Sequence, residues 1–283
     1  MLNEVLEWLS IRPEGTYIDA TLGAGGHSEA IAERLTSGRL ISLDRDAQAL
    51  ELARERLKSF GAKVMVVQSP FSRIAEVAQE LGIKKVDGVL ADLGVSSMQL
   101  DQGERGFSFR EAATLDMRMN TADELTADEI VNQWSEKEIA DLLYREADEH
   151  DSRRIAKAIV RARPVRDTAH LATTVAGARK QWGRQRLHPA TKTFLALRIA
   201  VNREMEELGQ FLSRTPAALN SGGRLVVLSY HSREDRIVKH AFQEEERQRT
   251  LQVLTRHVIQ PTEEEKARNP RSRSAKLRCA ERV

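Results

Sequence analysis

The sequence predicts an α/β protein, a doubly wound and mostly parallel sheet interrupted by an inserted all-helical domain. Three observations predict it. Apolar runs of four to six residues alternate with amphipathic stretches through the first third of the chain. That rhythm stops near Asp101 and gives way to helices and loops as far as about Gly209, and the sheet resumes at Arg224. Short apolar runs set between helical patterns mark parallel strands covered on both faces. Alternating the two builds a doubly wound sheet.

Taken in order, Thr16 to Thr21 reads as the first strand and His27 to Leu35 as a helix. Leu40 to Asp44 is the second strand, followed by a helix through Leu57. Val64 to Gln68 is the third strand, with a helix from Ser72 to Leu81, and Val86 to Asp92 is the fourth. Helical periodicity then dominates in Leu125 to Trp134, Glu136 to Tyr144, Arg153 to Ala162 and Thr191 to Leu208. The last carries Phe194, Leu197, Val201, Met205 and Leu208 at helical spacing, the pattern of one core-facing stripe. After the turn Ser221-Gly-Gly223, a fifth strand runs from Arg224 to Tyr230, with a helix from Ser232 to Glu246. Leu251 to Thr255 and Ser274 to Ala280 supply two closing strands, with an acidic loop, Glu263-Glu-Glu265, between them. Residues 1–100 and 210–283 therefore form one discontinuous domain, and residues 101–209 an inserted helical domain.

The 283 residues contain no apolar run near the ~20 that a membrane helix needs, and no basic-apolar leader opens the chain. The expectation is a cytoplasmic protein without a membrane partner. A single cysteine, Cys279, excludes an intramolecular disulfide and a multi-cysteine zinc site. The seven histidines lack metal-ligand spacing, so no metal is expected. Net charge is only +2, yet Arg145 to Arg198 holds thirteen Lys or Arg against five Asp or Glu. Such a cluster is either a solvated helical face or a patch for a polyanion. Charge reversal at Arg179 and Lys180 would distinguish the two through RNA binding.

The stretch Asp19-Ala-Thr-Leu-Gly23-Ala-Gly25-Gly26-His27 follows the first strand and opens the first helix. Glycines there let backbone approach a ligand closely and permit positive φ. Asp44 ends the second strand 21 residues beyond Gly23, where a carboxylate can accept both hydroxyls of a ribose. Phe71 follows the third strand, where an adenine would lie, and Asp92 ends the fourth. Each alone is weak, since acids and aromatics often cap strands; together they describe an adenosine pocket. The G-x-G-x-x-G fingerprint fails because Ser28 holds the place of its third glycine, and no phosphate loop is present. Asp19 beside the turn suits the ammonium of a methionine moiety better than a phosphate. S-adenosyl-L-methionine is thus the expected cofactor, and methyl transfer the expected chemistry.

These residues also carry a family resemblance over nearly the full length. Gly23-Ala-Gly-Gly-His-Ser28, Asp44-Arg-Asp46, Asp92-Leu-Gly-Val-Ser-Ser97, Glu104-Arg-Gly-Phe-Ser-Phe109, Leu115-Asp-Met-Arg-Met119, His188-Pro-Ala-Thr191, Tyr230-His-Ser-Arg-Glu-Asp-Arg236 and Asn269-to-Arg278 occur in order. The chain resembles the RsmH/MraW family of bacterial 16S rRNA cytosine-N4 methyltransferases, which have a class I, Rossmann-like fold. The resemblance implies a cofactor held by Gly25, Gly26, His27, Asp44, Phe71, Asp92 and Gln99. It also implies substrate recognition by the inserted domain, and a target cytidine in the decoding region of the small ribosomal subunit. A homodimer is compatible with the family but not legible in the residues. Two departures stand out. The chain opens inside the family's Val-Leu-Leu-x-Glu stretch, at Met1-Leu-Asn-Glu4, without the histidine that usually precedes it. Met98 stands where a proline usually precedes Gln99.

Carbon-5 methylation of a pyrimidine uses a cysteine nucleophile, and Cys279 lies outside every crevice motif. An exocyclic amine instead attacks the methyl directly, provided its protons find acceptors. Asp92 and the carbonyls of Leu93 and Gly94 are the candidate acceptors. Arg105, Phe107, Phe109, Tyr230, His231 and Ser232 are the candidate substrate contacts, with Phe107, Phe109 and Tyr230 able to stack on a displaced base. Arg271, Arg273, Lys276 and Arg278 either touch phosphates or line a closing strand. A hydrolase built on His231, Ser232 and Glu234 is disfavoured, since no nucleophile elbow surrounds Ser232. Two alternatives stay open: the same chemistry on another nucleic acid, and a non-catalytic assembly factor that binds the cofactor and rRNA.

Overall fold

The structure is a computed structural model that describes residues 1–101, 103–179 and 188–283. Its strands are β1 Thr16–Asp19, β2 Arg39–Asp44, β3 Val64–Gln68, β4 Val86–Asp92, β5 Leu219–Ser229, β6 Leu251–Val253 and β7 Lys276–Arg282. The helices before the midpoint are α1 Leu2–Leu9, α2 Gly26–Arg34, α3 Ala47–Leu57, α4 Ile74–Glu80, α5 Ser97–Asp101 and α6 Ala127–Gln133. They continue with α7 Glu136–Ala147, α8 Ser152–Arg161, α9 Thr168–Ala178, α10 Thr191–Val201 and α11 Glu204–Ala218. The last two are α12 Ser232–Arg247 and α13 Glu263–Arg268. The chain forms two compact units, Met1–Gly94 with Met205–Val283, and Val95–Glu204.

The first unit is the doubly wound sheet, in the order β3-β2-β1-β4-β5-β7-β6. β1 to β5 run parallel, while β7 lies antiparallel to both β5 and β6. Each strand's alternate residues feed opposite cores, the period of two that a pleated strand imposes. Tyr17, Leu40, Leu90, Val226 and Leu228 join Ile31 and the α1 residues Val5 and Leu9 on one face. Ile18, Ile41, Leu43, Val89, Ala91 and Val227 meet Ile74, Phe211, Val238 and Phe242 on the other. β5 begins at Leu219, before the expected turn. Its pairing with β4 jumps from Val86↔Leu219 to Gly88↔Arg224, so Ser221-Gly-Gly223 forms an irregularity within the strand.

The second unit packs α6 to α10 around Ile130, Ile139, Leu143, Ile155, Ile159, Leu171, Val175, Phe194 and Leu197. Three of these helix starts carry side-chain caps: Thr126 and Asp167 accept backbone N–H groups, and Ser135 with Glu138 forms a capping box.

Two expectations are corrected. The pattern from Thr191 to Leu208 is not one helix, because α10 ends at Val201 and Arg203 adopts a left-handed φ of 50°. The cause is Asn202, 1% exposed, whose side chain accepts from the Met119 N–H and donates to the Met117 and Arg198 carbonyls. Phe194, Leu197 and Val201 accordingly pack in the helical unit, whereas Leu208 packs in the sheet unit. The acidic stretch Glu263-Glu-Glu265 is the first turn of α13, not a loop. Thr262 accepts the Glu265 N–H, and three acids sit where the helix dipole favours them.

Candidate active site

Parallel pairing brings the carboxyl ends of β1, β2 and β4 to one edge of the sheet, the edge where open α/β sheets bind ligands. Asp19, Asp44 and Asp92 are the last residues of those strands. The Gly-rich turn opens α2 at the same edge. Gly23 and Gly25 have φ of 51° and 84°, which an L side chain adopts only under strain. A Cβ on Gly25 would also touch the Ala53 Cβ at 3.4 Å, and at Gly26 nothing but the Arg56 guanidinium lies within 4 Å. The result is an open backbone cradle against a helix N-terminus.

Asp44 organises the turn. Its Oδ2 accepts the Gly23 N–H at 2.8 Å and its Oδ1 the Asp46 N–H at 2.9 Å. One lone pair on each oxygen stays available for a ligand hydroxyl. Burial pushes its carboxyl above the ordinary carboxylate range, opposed by those two N–H bonds. Asp19 is 0% exposed, and its carboxylate accepts the Thr21 N–H at 3.1 Å and the Ser28 hydroxyl at 2.7 Å. It shapes the turn from beneath. The expectation that it meets a ligand ammonium is therefore corrected. Burial raises its carboxyl too, with the nearby His27 acting the other way.

Asp92 is the one carboxylate of the three that meets two ionisable side chains. The Tyr230 hydroxyl donates to its Oδ1 at 2.8 Å, and the His27 Nδ1 lies 3.5 Å from its Oδ2. Its backbone N–H donates to the Thr21 hydroxyl at 2.6 Å. Burial, followed by the charge of Asp92, drives the Tyr230 phenol upward, so the proton stays on the hydroxyl that donates. Tyr230 is fixed in turn by the buried Glu234, whose Oε2 accepts the Tyr230 N–H at 2.8 Å. His231 caps α12 with its side chain and Ser232 is exposed on the first turn. Phe71 follows β3 in a short 3₁₀ turn and meets Phe211 edge-on at 5.3 Å.

The remaining candidates belong to the helical unit. Gln99 is buried, its Oε1 accepting the Ser96 N–H. Arg105 donates to the Arg118 and Met119 carbonyls and stacks over Phe107, which is 8% exposed in the helical core. Base stacking by Phe107 is therefore withdrawn, since its faces are covered by protein. Phe109 is half-buried between His188 and Phe194. Lys276 and Arg278 pair with Asp235, so they line β7 and are not phosphate ligands. Cys279 is buried in β7, its thiol pushed up to about 12 by burial, which leaves no thiolate nucleophile at neutral pH.

A family model described as the MraW methylase family matches residues 1–283. The chain belongs to the MraW methylase family. It is 51% identical to the Ribosomal RNA small subunit methyltransferase H of Acidobacterium capsulatum, with 100% of this chain and 97% of that protein aligned. It is 49% identical to the protein of the same name from Solibacter usitatus, over 98% and 96% of the two chains. A third, from Koribacter versatilis, is 50% identical over 99% and 91%. As a member of this methylase family the chain uses S-adenosyl-L-methionine. The residues present fit that group: a glycine cradle, a carboxylate with free lone pairs after β2, and an aromatic after β3. The Tyr230–Asp92 bond bears no sequence signal, because 138 residues separate the partners.

Proposed function

We propose that the chain methylates N4 of a cytidine in the decoding region of 16S rRNA. The single observation that carries the reading is Asp92, held by Tyr230 and His27 at the edge that also bears the glycine turn. Family membership and the names of the relatives support the RNA substrate, and the family resemblance supports the base and its position.

Bound S-adenosyl-L-methionine supplies an electrophilic methyl group on a positively charged sulfur. The chain supplies position. Gly23, Gly25 and Gly26 would give the close approach, Asp44 would accept the ribose hydroxyls, Phe71 would lie against the adenine and His27 would complete the shell on this unit. Asp92 accepts an N–H of the cytidine amine, turning the N4 lone pair toward the methyl carbon. Tyr230 keeps that carboxylate in register, and the Leu93 and Gly94 carbonyls offer the second acceptor. Fixing amine and methyl at attack distance contributes up to ~7–11 kcal/mol of the barrier reduction. Methyl transfer would leave the cofactor as its neutral thioether, and the proton that N4 gives up would pass to Asp92 or water. The helical unit, including Arg105 and Phe109, contributes substrate recognition.

The test uses tritium-labelled cofactor and small subunits lacking the modification. Label recovered as 4-methylcytidine after digestion is the expected result. Label on another nucleoside refutes the base assignment, and a bound but unlabelled complex supports an assembly factor instead.

A further inference from the structure

The thirteen basic residues between Arg145 and Arg198 are not equivalent once the chain is folded. Arg145 pairs with Glu146, Arg179 with Glu149 and Arg198 with Glu204. Arg163 donates to the Val131 and Trp134 carbonyls, and Lys192 to the Asp148 carbonyl. All five have partners within the helical unit, and Arg179 is thereby a poor probe of RNA binding. Lys180, Arg184 and Arg186 lie outside the described residues. Arg166 is exposed beyond α8.

The other four, Arg153, Arg154, Lys157 and Arg161, all lie on α8 and are all exposed. No ion pair or hydrogen bond joins their side chains to another described residue. α8 buries Ser152, Ile155, Ala156 and Ile159. At 3.6 residues per turn, the four cations fall in an arc of about 100° opposite that buried side, spread along about 12 Å of axis.

A helix face that merely meets water usually intersperses acids at i±3 and i±4. α8 contains none. Its 153/157 and 157/161 spacings are like-charge i,i+4 pairs, which disfavour the isolated helix. A polyanion lying along the face removes that repulsion, and a nucleic-acid backbone presents several phosphates over such a length.

We infer that this face of α8 binds the phosphate backbone of the RNA substrate. The identity of the occupant rests on the function proposed above; the charge complementarity does not. The test compares the full-length protein with R153Q/R154Q/K157Q/R161Q, and with a control of equal charge change, R54Q/K84Q/K85Q/K137Q. Binding to deproteinised 16S rRNA and to small subunits is measured across a salt series. The quadruple α8 variant is expected to bind both roughly tenfold or more weakly at ~0.1 M salt. Its log–log salt slope should shrink by about one for each phosphate that is no longer neutralised. Its cofactor affinity and melting temperature should match the parent's, and the control should bind as the parent does. Unchanged affinity and slope overturn the inference, as does an equal loss in the control. Loss on subunits but not on deproteinised RNA overturns it in favour of an acidic protein partner. If the quadruple variant does not fold, R154Q/K157Q replaces it, with half the slope change expected. A parent that binds RNA but not the cofactor sinks the enzyme reading alone.

Discussion

Replacing Tyr230 with phenylalanine isolates one hydrogen bond of the candidate site. Phe keeps the ring and removes only the hydroxyl that donates to Asp92 Oδ1 at 2.8 Å. A hydrogen bond to a charged group contributes about 1.5–3 kcal/mol. The Asp92 side chain is 25% exposed, so water replaces part of the lost bond. A loss of about 1–2 kcal/mol is the reasonable expectation, which corresponds to roughly 5–30-fold in rate. If Asp92 orients the amine, that loss falls on kcat, because the aligned carboxylate matters most at the moment of attack. Single-turnover methyl transfer at saturating cofactor reads this directly, with calorimetry of cofactor binding alongside. The expected outcome is a fall in kcat with cofactor affinity nearly intact. A variant with undiminished kcat refutes the positioning role of Tyr230, and a loss confined to cofactor affinity assigns Asp92 to the cofactor alone.

Asp44→Ala should weaken cofactor binding about tenfold or more, since an acceptor is lost while the Gly23 and Asp46 N–H groups lose theirs; unchanged affinity by calorimetry contradicts the pocket. Gly25→Ala forces a side chain to φ 84°, and a destabilisation of about 1–2 kcal/mol should appear in denaturant titration together with weaker cofactor binding. Asn202→Leu leaves the Met119 N–H and the Met117 carbonyl without their partner, and a loss of roughly 2–5 kcal/mol is expected; a loss below about 1 kcal/mol would mean that the helix break does not depend on this side chain. Asp235 is held below its ordinary range. Burial acts upward, and Arg278 and Lys276 outweigh it. A depressed folded value means stability that is present above the unfolded pKa of about 3.9 and is lost as pH falls through the folded one. Asp235→Asn should therefore flatten the acid limb of stability below pH ~4, and an identical limb in both proteins contradicts the pairing.

Much of the sheet was legible because its signals are local. β4 begins and ends where the run Val86–Asp92 does, and its apolar residues are buried on both faces; β3 matches the run Val64–Gln68 although it is the partly exposed edge strand. The glycine turn was legible for a similar reason: positive φ at Gly23 and Gly25 is a backbone demand that few residue types meet. What escaped was whatever depends on partners distant in sequence. Thr191 to Leu208 has unbroken helical periodicity, and the break exists only because Asn202 finds the backbone of Met117 and Met119, more than 80 residues earlier. Asp19 illustrates the same limit from the other side. Its place beside the turn was clear from the sequence, but not which way its carboxylate points, and the buried hydroxyl of Ser28 decides that. Ser28 is also the residue that breaks the dinucleotide fingerprint. Its Oγ lies 2.7 Å from Asp19 and 2.8 Å from the Ser42 hydroxyl, so it ties the turn to β1 and β2. A glycine there would leave the 0%-exposed Asp19 carboxylate with only the Thr21 N–H. The serine that excluded one cofactor class in the sequence is, in the fold, the partner that lets an acid be buried beneath the turn.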